Sequence, residues 1–186
     1  MKRLFDLVLA LFASIVLAIP VAMVAMAVRL TSNGPALYWS DRVGRSNKLF
    51  KMPKFRSMRL GTPAVATHLL EGPTAYLTPI GSFLRKSSLD ELPQLWSILV
   101  GDMSFVGPRP ALFNQHDLIA LRTQHHVDSL VPGLTGWAQV NGRDELPIPE
   151  KVKLDVLYLQ RQSLFFDLHI LWLTFVKVLR RDGVTH

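Results

Sequence analysis

Two adjacent carboxylates are the most chemically suggestive feature of this chain. Asp90 and Glu91 stand in the run Ser87-Ser88-Leu89-Asp90-Glu91-Leu92-Pro93, with Arg85 shortly before them and Arg109 downstream in the turn Gly107-Pro108-Arg109-Pro110. A carboxylate that holds Mg²⁺ and arginines that hold phosphate oxygens are the recurring parts of phosphoryl transfer. Ser88 and Glu91 have capping-box spacing, which predicts a helix N-terminus at the pair. The plain alternative is that both carboxylates only favour a helix dipole and face water. Prolines on both sides of Arg109 fix its backbone and let the guanidinium meet a phosphate with two parallel bonds. A solvated arginine on a surface turn is the competing reading there.

Two further stretches carry binding chemistry. Pro132 to Arg143 (PGLTGWAQVNGR) is rich in small residues that let backbone approach a ligand. Within it Gln139 and Asn141 could hydrogen-bond a base or a sugar, and Arg143 could meet a diphosphate; a Gly-rich hairpin is the bland reading. Lys51, Lys54, Arg56 and Arg59 interleave with Phe50 and Phe55. That pattern holds single-stranded nucleic acid in some proteins, but beside a long apolar segment anionic headgroups or a lipid phosphate fit better, so no nucleic-acid partner is expected. The absence of cysteine excludes thiolate zinc sites and cysteine nucleophiles, and the six histidines show no metal-ligand spacing.

The elements that must position these groups begin with the apolar segment. Leu7 to Val28 is 22 residues without a charge, the origin of a mean hydropathy of +0.23 in a chain of 186 residues with net charge +7. Such a run is a membrane-span candidate. Pro20 interrupts it, and Leu7 to Ile19 would reach only about 20 Å, short of a ~30 Å hydrocarbon core. Lys2 and Arg3 precede the run, and Arg29, Arg42, Arg45 and Lys48 follow it, so both flanks look cytoplasmic. A helix that enters, breaks at Ile19–Pro20 and returns on the same side satisfies both. A straight span and a cleaved signal peptide are the alternatives.

Beyond the turn cluster Thr31 to Pro35, Ala36 to Trp39 reads as a short strand or an interfacial stretch. Leu49 to Met58 reads as a strand that Pro53 confines to a sheet edge. Helices or helical turns are expected over Pro79–Lys86, Pro93–Val100 (ended by Gly101), Leu112–Gln124 and Val152–Gln162, with an interfacial or core helix over Leu164–Arg181. The expected fold is α+β and mainly helical. A re-entrant membrane helix-break-helix (1–30) precedes a small membrane-associated catalytic domain with short strands (31–186).

Taken in order, KRLFD (2–6), FKMPKFRSM (50–58), RKSSLDELPQLWSILVGDMSFVGPRP (85–110), PGLTGWAQVNGR (132–143), LDVLY (154–158) and SLFFDLHILWLT (163–174) resemble the bacterial sugar transferases, the monotopic phosphoglycosyl transferases, over nearly the whole chain. The resemblance implies transfer of a sugar-1-phosphate from a UDP-sugar to polyprenyl (undecaprenyl) phosphate, with release of UMP. It makes Asp90 the nucleophile of a covalent phospho-aspartate and a ligand of Mg²⁺, and Glu91 its dyad partner. It assigns Arg85 and Arg109 to phosphate, with Arg56 and Arg143 as further candidates. It also implies a membrane break at Ile19–Pro20, membrane lipids as partners, and a catalytic domain on the cytosolic face of the bacterial inner membrane. The chain matches the minimal catalytic form. Pro53 and the loop Gly61–Thr78 depart from the pattern and leave the donor sugar open; the glycan pathway, the oligomeric state (a homodimer included) and the role of Glu91 are open as well. A non-catalytic scaffold that binds polyprenyl phosphate or anionic lipid is the reading from another class.

Overall fold

The computed structural model describes residues 1–65, 70, 72–142 and 146–180, apart from the side chains of residues 179 and 180. Two N-terminal helices, α1 (Lys2–Val16) and α2 (Ala18–Thr31), meet at a bend of 63°. No single helix among the described residues is long and apolar enough to cross a membrane, although this bent pair meets the length and composition test together. The break falls at Leu17 and not at the expected Ile19–Pro20. Proline is still its physical cause. A continuous helix would drive the Pro20 ring into the carbonyl of Val16 and lose one backbone bond. Breaking at Leu17 moves Ile19 and Pro20 into the first turn of α2, where the missing N–H has no helical partner to lose.

The first five residues of α1 tie this pair to the rest of the chain. Arg3 donates to the carbonyls of Ile98 and, at 2.8 Å, Leu99. The Phe105 N–H donates to Asp6 Oδ1 at 3.1 Å, in a buried setting. Lys2 Nζ lies 2.6 Å from Asp167 Oδ2, and the Tyr158 hydroxyl donates to Asp167 Oδ1 at 2.7 Å. Asp167 is buried, and these two donors and its own helix offset its desolvation. Asp167→Ala is therefore expected to cost about 3 kcal/mol, read from denaturant unfolding in detergent.

Among the described residues the strands form two small sheets. A tight connection joins β1 (Leu37–Val43) and β2 (Leu49–Phe55) as an antiparallel pair, in register from Leu37 opposite Phe55 to Val43 opposite Leu49. β4 (Ala111–Leu112) pairs on the other side of β1, giving the order β2-β1-β4. β2 is thus an edge strand, as Pro53 requires, with Pro53 opposite Trp39. The second sheet is the parallel pair β3 (Ser104–Val106) and β5 (Gly133–Thr135).

Among the described residues six more α-helices follow: α3 (Gly81–Lys86), α4 (Gln94–Val100), α5 (His116–Gln124), α6 (Trp137–Val140), α7 (Ile148–Arg161) and α8 (Leu164–Arg180). Gly101 ends α4 at φ +100°, as its sequence position predicts. Helix α5 begins at His116 and not Leu112, because Leu112 is paired with Arg42 in the sheet. The Gly-rich hairpin that was the bland reading of this stretch does not form over 133–140, which is β5 followed by α6. The main core gathers Ile98, Met103, Val106, Tyr158 and Ile170 under α1, α4 and α8. Helix α8 buries Asp167 and Ile170 but leaves Phe165, Trp172 and Phe175 exposed, as Trp96 is on α4. The fold is mixed α/β and mainly helical, as expected.

Candidate functional site

Asp90 and Glu91 sit on a single 3₁₀ turn, Leu89–Glu91, wedged between α3 and α4. The capping box expected of Ser88 and Glu91 does not form: Ser88 adopts a left-handed conformation (φ +57°) and makes no cap bond. Glu91 is engaged elsewhere. Its Oε1 accepts from Lys54 Nζ at 2.8 Å and from Arg109 Nη2 at 3.0 Å. Three separated stretches, β2, the dyad turn and the Pro-Arg-Pro turn, therefore converge on one carboxylate oxygen.

This convergence divides the two acids. Burial pushes Asp90 up from 3.8 to about 6; Glu91 adds to the rise, and Lys54, Arg85 and Arg109 oppose it. Burial acts on Glu91 in the same sense, but Arg109 and Lys54 override it through charge and hydrogen bonds and hold it well below the usual carboxylate range. Two neighbouring carboxyl groups pushed apart in this way have different tasks. Glu91 is a fixed anion that organises cations. Asp90 is 7% exposed, and its charge is only partly offset.

The structure brings Asp90, Glu91, Arg85 and Arg109 into one electrostatic unit. Arg56 is not part of it. It is buried, and its Nη1 donates to the Asn33 carbonyl at 3.1 Å beside Gly34, closing the loop after α2. A Cβ at Gly34 would meet that Nη1, and the left-handed backbone there (φ +103°) favours glycine. Asn141 Nδ2 donates to the Trp137 carbonyl at 2.7 Å, a bond within its own turn. Gln139 is buried, and neither polar atom of its side chain has a hydrogen-bond partner among the described residues. Arg143 lies outside the described residues.

Sequence reasoning missed Lys54 as a site residue because it grouped the basic residues of 51–59 by composition. Strand alternation separates them. Lys51 pairs at 2.8 Å with the exposed Asp41, whereas Lys54 reaches the half-buried Glu91.

Among the described residues no cluster of three or more His, Asp or Glu could hold a metal alone. Mg²⁺ in phosphoryl-transfer sites needs only one or two carboxylates, with substrate phosphates and water completing its shell. Asp90, a hard oxygen donor whose charge is incompletely offset, fits that mode.

The family model for bacterial sugar transferases matches residues 1–181. The chain belongs to the bacterial sugar transferase family. It is 39% identical over 99% of its length to the uncharacterized sugar transferase EpsL of Bacillus subtilis, covering 90% of that protein. It is 42% identical over 96% of its length to a UDP-glucose:undecaprenyl-phosphate glucose-1-phosphate transferase of Xanthomonas campestris pv. campestris. It is 38% identical over 98% of its length to an undecaprenyl-phosphate galactose phosphotransferase of Salmonella typhimurium. The chain spans 38% and 41% of those last two proteins, respectively. The expected family and enzyme class both hold.

Proposed function

We propose that this sugar transferase moves a sugar-1-phosphate from a UDP-sugar to polyprenyl phosphate through a covalent phospho-aspartate at Asp90. The observation that carries the reading is the division of the dyad: Glu91 is locked by Lys54 and Arg109, and Asp90 remains as the buried carboxylate beside them. The names of the two longer relatives support the substrate classes. In the first step an Asp90 oxygen attacks the phosphorus bearing the sugar. The bond from that phosphorus to the bridging oxygen breaks, and UMP departs with that oxygen. In the second step an oxygen of the lipid phosphate attacks the same phosphorus and the aspartate carboxylate is released. Dividing one displacement into two lets a single site serve a water-soluble donor and then a lipid acceptor.

Arg85 and Arg109 would hold phosphate oxygens, and Glu91 would orient Arg109 and Lys54 without taking a proton. Mg²⁺, held by Asp90 together with the donor phosphates, would offset diphosphate charge. The bent pair α1–α2, basic at both flanks, would enter and leave the same membrane face, with Trp96, Phe165, Trp172 and Phe175 adding apolar surface at headgroup depth. On this reading the catalytic residues lie on the cytosolic face of the bacterial cytoplasmic membrane. A scaffold that only binds lipid gives no reason to bury a carboxylate among three cations.

The test is UMP release by purified protein with Mg²⁺, polyprenyl phosphate and a panel of UDP-sugars, wild type beside Asp90→Asn. Release with at least one donor and none from the variant supports the reading; equal release by both overturns the nucleophile. Lys54→Met is expected to move the acid limb of the kcat/KM profile to higher pH. Lys54 is the strongest of the charges that favour ionised Asp90, and kcat/KM against pH reports the free enzyme.

A further inference from the structure

The Pro-Arg-Pro turn cannot hold itself. Pro108 and Pro110 carry no N–H, so the turn has few donors and its order depends on what its carbonyls accept. Each of the three carbonyls has an external donor. Pro108 accepts from the Gly133 N–H at 2.9 Å, Arg109 from Arg122 Nη1 at 2.8 Å, and Pro110 from Arg42 Nη1 at 3.2 Å. The middle bond belongs to the residue whose side chain reaches Glu91.

Arg122, on α5, is buried, and its other nitrogens are fixed by Asp155 on α7. Nε and Nη2 lie 3.0 and 2.7 Å from Asp155 Oδ2, and Asp155 is only 1% exposed. A buried ion pair is weak evidence for stability, because apolar residues of similar volume often serve as well. What an apolar pair cannot do is donate to a specific carbonyl. The fork of an arginine, oriented by a carboxylate, places that donor in one direction.

We infer that Arg122 and Asp155 are positioning residues for Arg109, holding the backbone from which its guanidinium reaches Glu91 and the donor phosphates. This rests on the proposed reaction. The bonds of Arg122 go to Asp155 and to the Arg109 carbonyl, and it acts through that carbonyl. Displacing a phosphate-holding group by about 1 Å can lower turnover ~100-fold.

The test compares four full-length proteins in detergent: wild type, Arg109→Ala, the double variant Arg122→Met/Asp155→Leu, and the triple combination. The double variant is expected to remain folded by thermal melting, to lose kcat ~100-fold and to cause little further loss in the Arg109→Ala background. A role confined to stability predicts the same proportional loss in both backgrounds, and that result, or unchanged kcat in the double variant, overturns the inference. Amide hydrogen exchange supplies a readout that needs no turnover. The Gly133 N–H, bonded to Pro108, should exchange at least ~10-fold faster in the double variant, with α4 amides unchanged. If wild type releases UMP with no donor, the reaction reading fails. The exchange result then decides the anchoring alone: unchanged Gly133 protection overturns it.

Discussion

Asp90→Asn is expected to abolish UMP release and, at the same time, to make the protein more stable at neutral pH. The two effects share one cause. Asp90 titrates near 6 in the fold against an ordinary 3.8, so the folded state binds its proton more tightly than the unfolded chain does. A carboxyl group raised in this way favours folding most when protonated. Stability therefore declines as pH rises through the window from about 4 to about 6, and above it the ionised carboxylate costs the fold about 3 kcal/mol. Asparagine has nearly the same shape and no charge. The variant should lack that slope and gain about 2–3 kcal/mol at pH 7.5, in denaturant unfolding beside wild type at pH 4.5 and 7.5. Glu91 has the opposite sign: held well below the usual range, it contributes stability at neutral pH that is lost in strong acid. The combination separates chemistry from folding. A variant dead because it had unfolded would lose stability, whereas one that has lost its nucleophile gains it. Wild type given donor without acceptor should also carry the mass of one sugar phosphate, and Asp90→Asn should not. An Asp90→Asn protein less stable than wild type at neutral pH would show that the buried charge is better compensated than burial and neighbours indicate.

Much of this site was legible in the residues themselves. Adjacent Asp90 and Glu91, Arg85 close by and Arg109 between two prolines are local signals, and the structure unites them. The edge position of β2 followed from Pro53, and the end of α4 from Gly101, because each is a constraint a single residue imposes on its own backbone. Other features failed for a common reason. The capping box at Ser88 and the start of α5 at Leu112 are local preferences that long-range contacts override: Glu91 is drawn to Lys54 and Arg109, and Leu112 into the sheet opposite Arg42. The bend moved to Leu17 because a proline acts on the carbonyl four residues before it. Lys54, Arg122 and Asp155 gave no distinguishing signal, since their roles depend on partners 37, 13 and 33 positions away. Arg56 shows the converse case: a basic residue in a basic stretch reads as a ligand for anions, and the fold buries it with Nη1 donating to the Asn33 carbonyl.

The two members of the α5–α7 pair should not be equivalent when removed singly. Asp155→Ala leaves the Arg122 guanidinium buried with no counter-charge, at an expected cost of about 3–5 kcal/mol. Arginine cannot escape by losing its proton, so that cost should be nearly the same from mild acid to mild base. Arg122→Met leaves the opposite orphan, a buried carboxylate, and a carboxylate can be neutralised. Burial already pushes Asp155 above its ordinary value, with Arg122 the main opposing influence. Without Arg122 its affinity for a proton rises further. Arg122→Met should therefore be nearest to wild-type stability in acid and lose stability as pH increases through the raised value, while Asp155→Ala stays uniformly weakened. Chemical denaturation of both variants at several pH values reads the difference directly. Parallel pH profiles would mean that water reaches the pair once one partner is gone. In that case the pair's burial, and with it the rigid seat it gives the Arg109 carbonyl, would depend on both side chains being present.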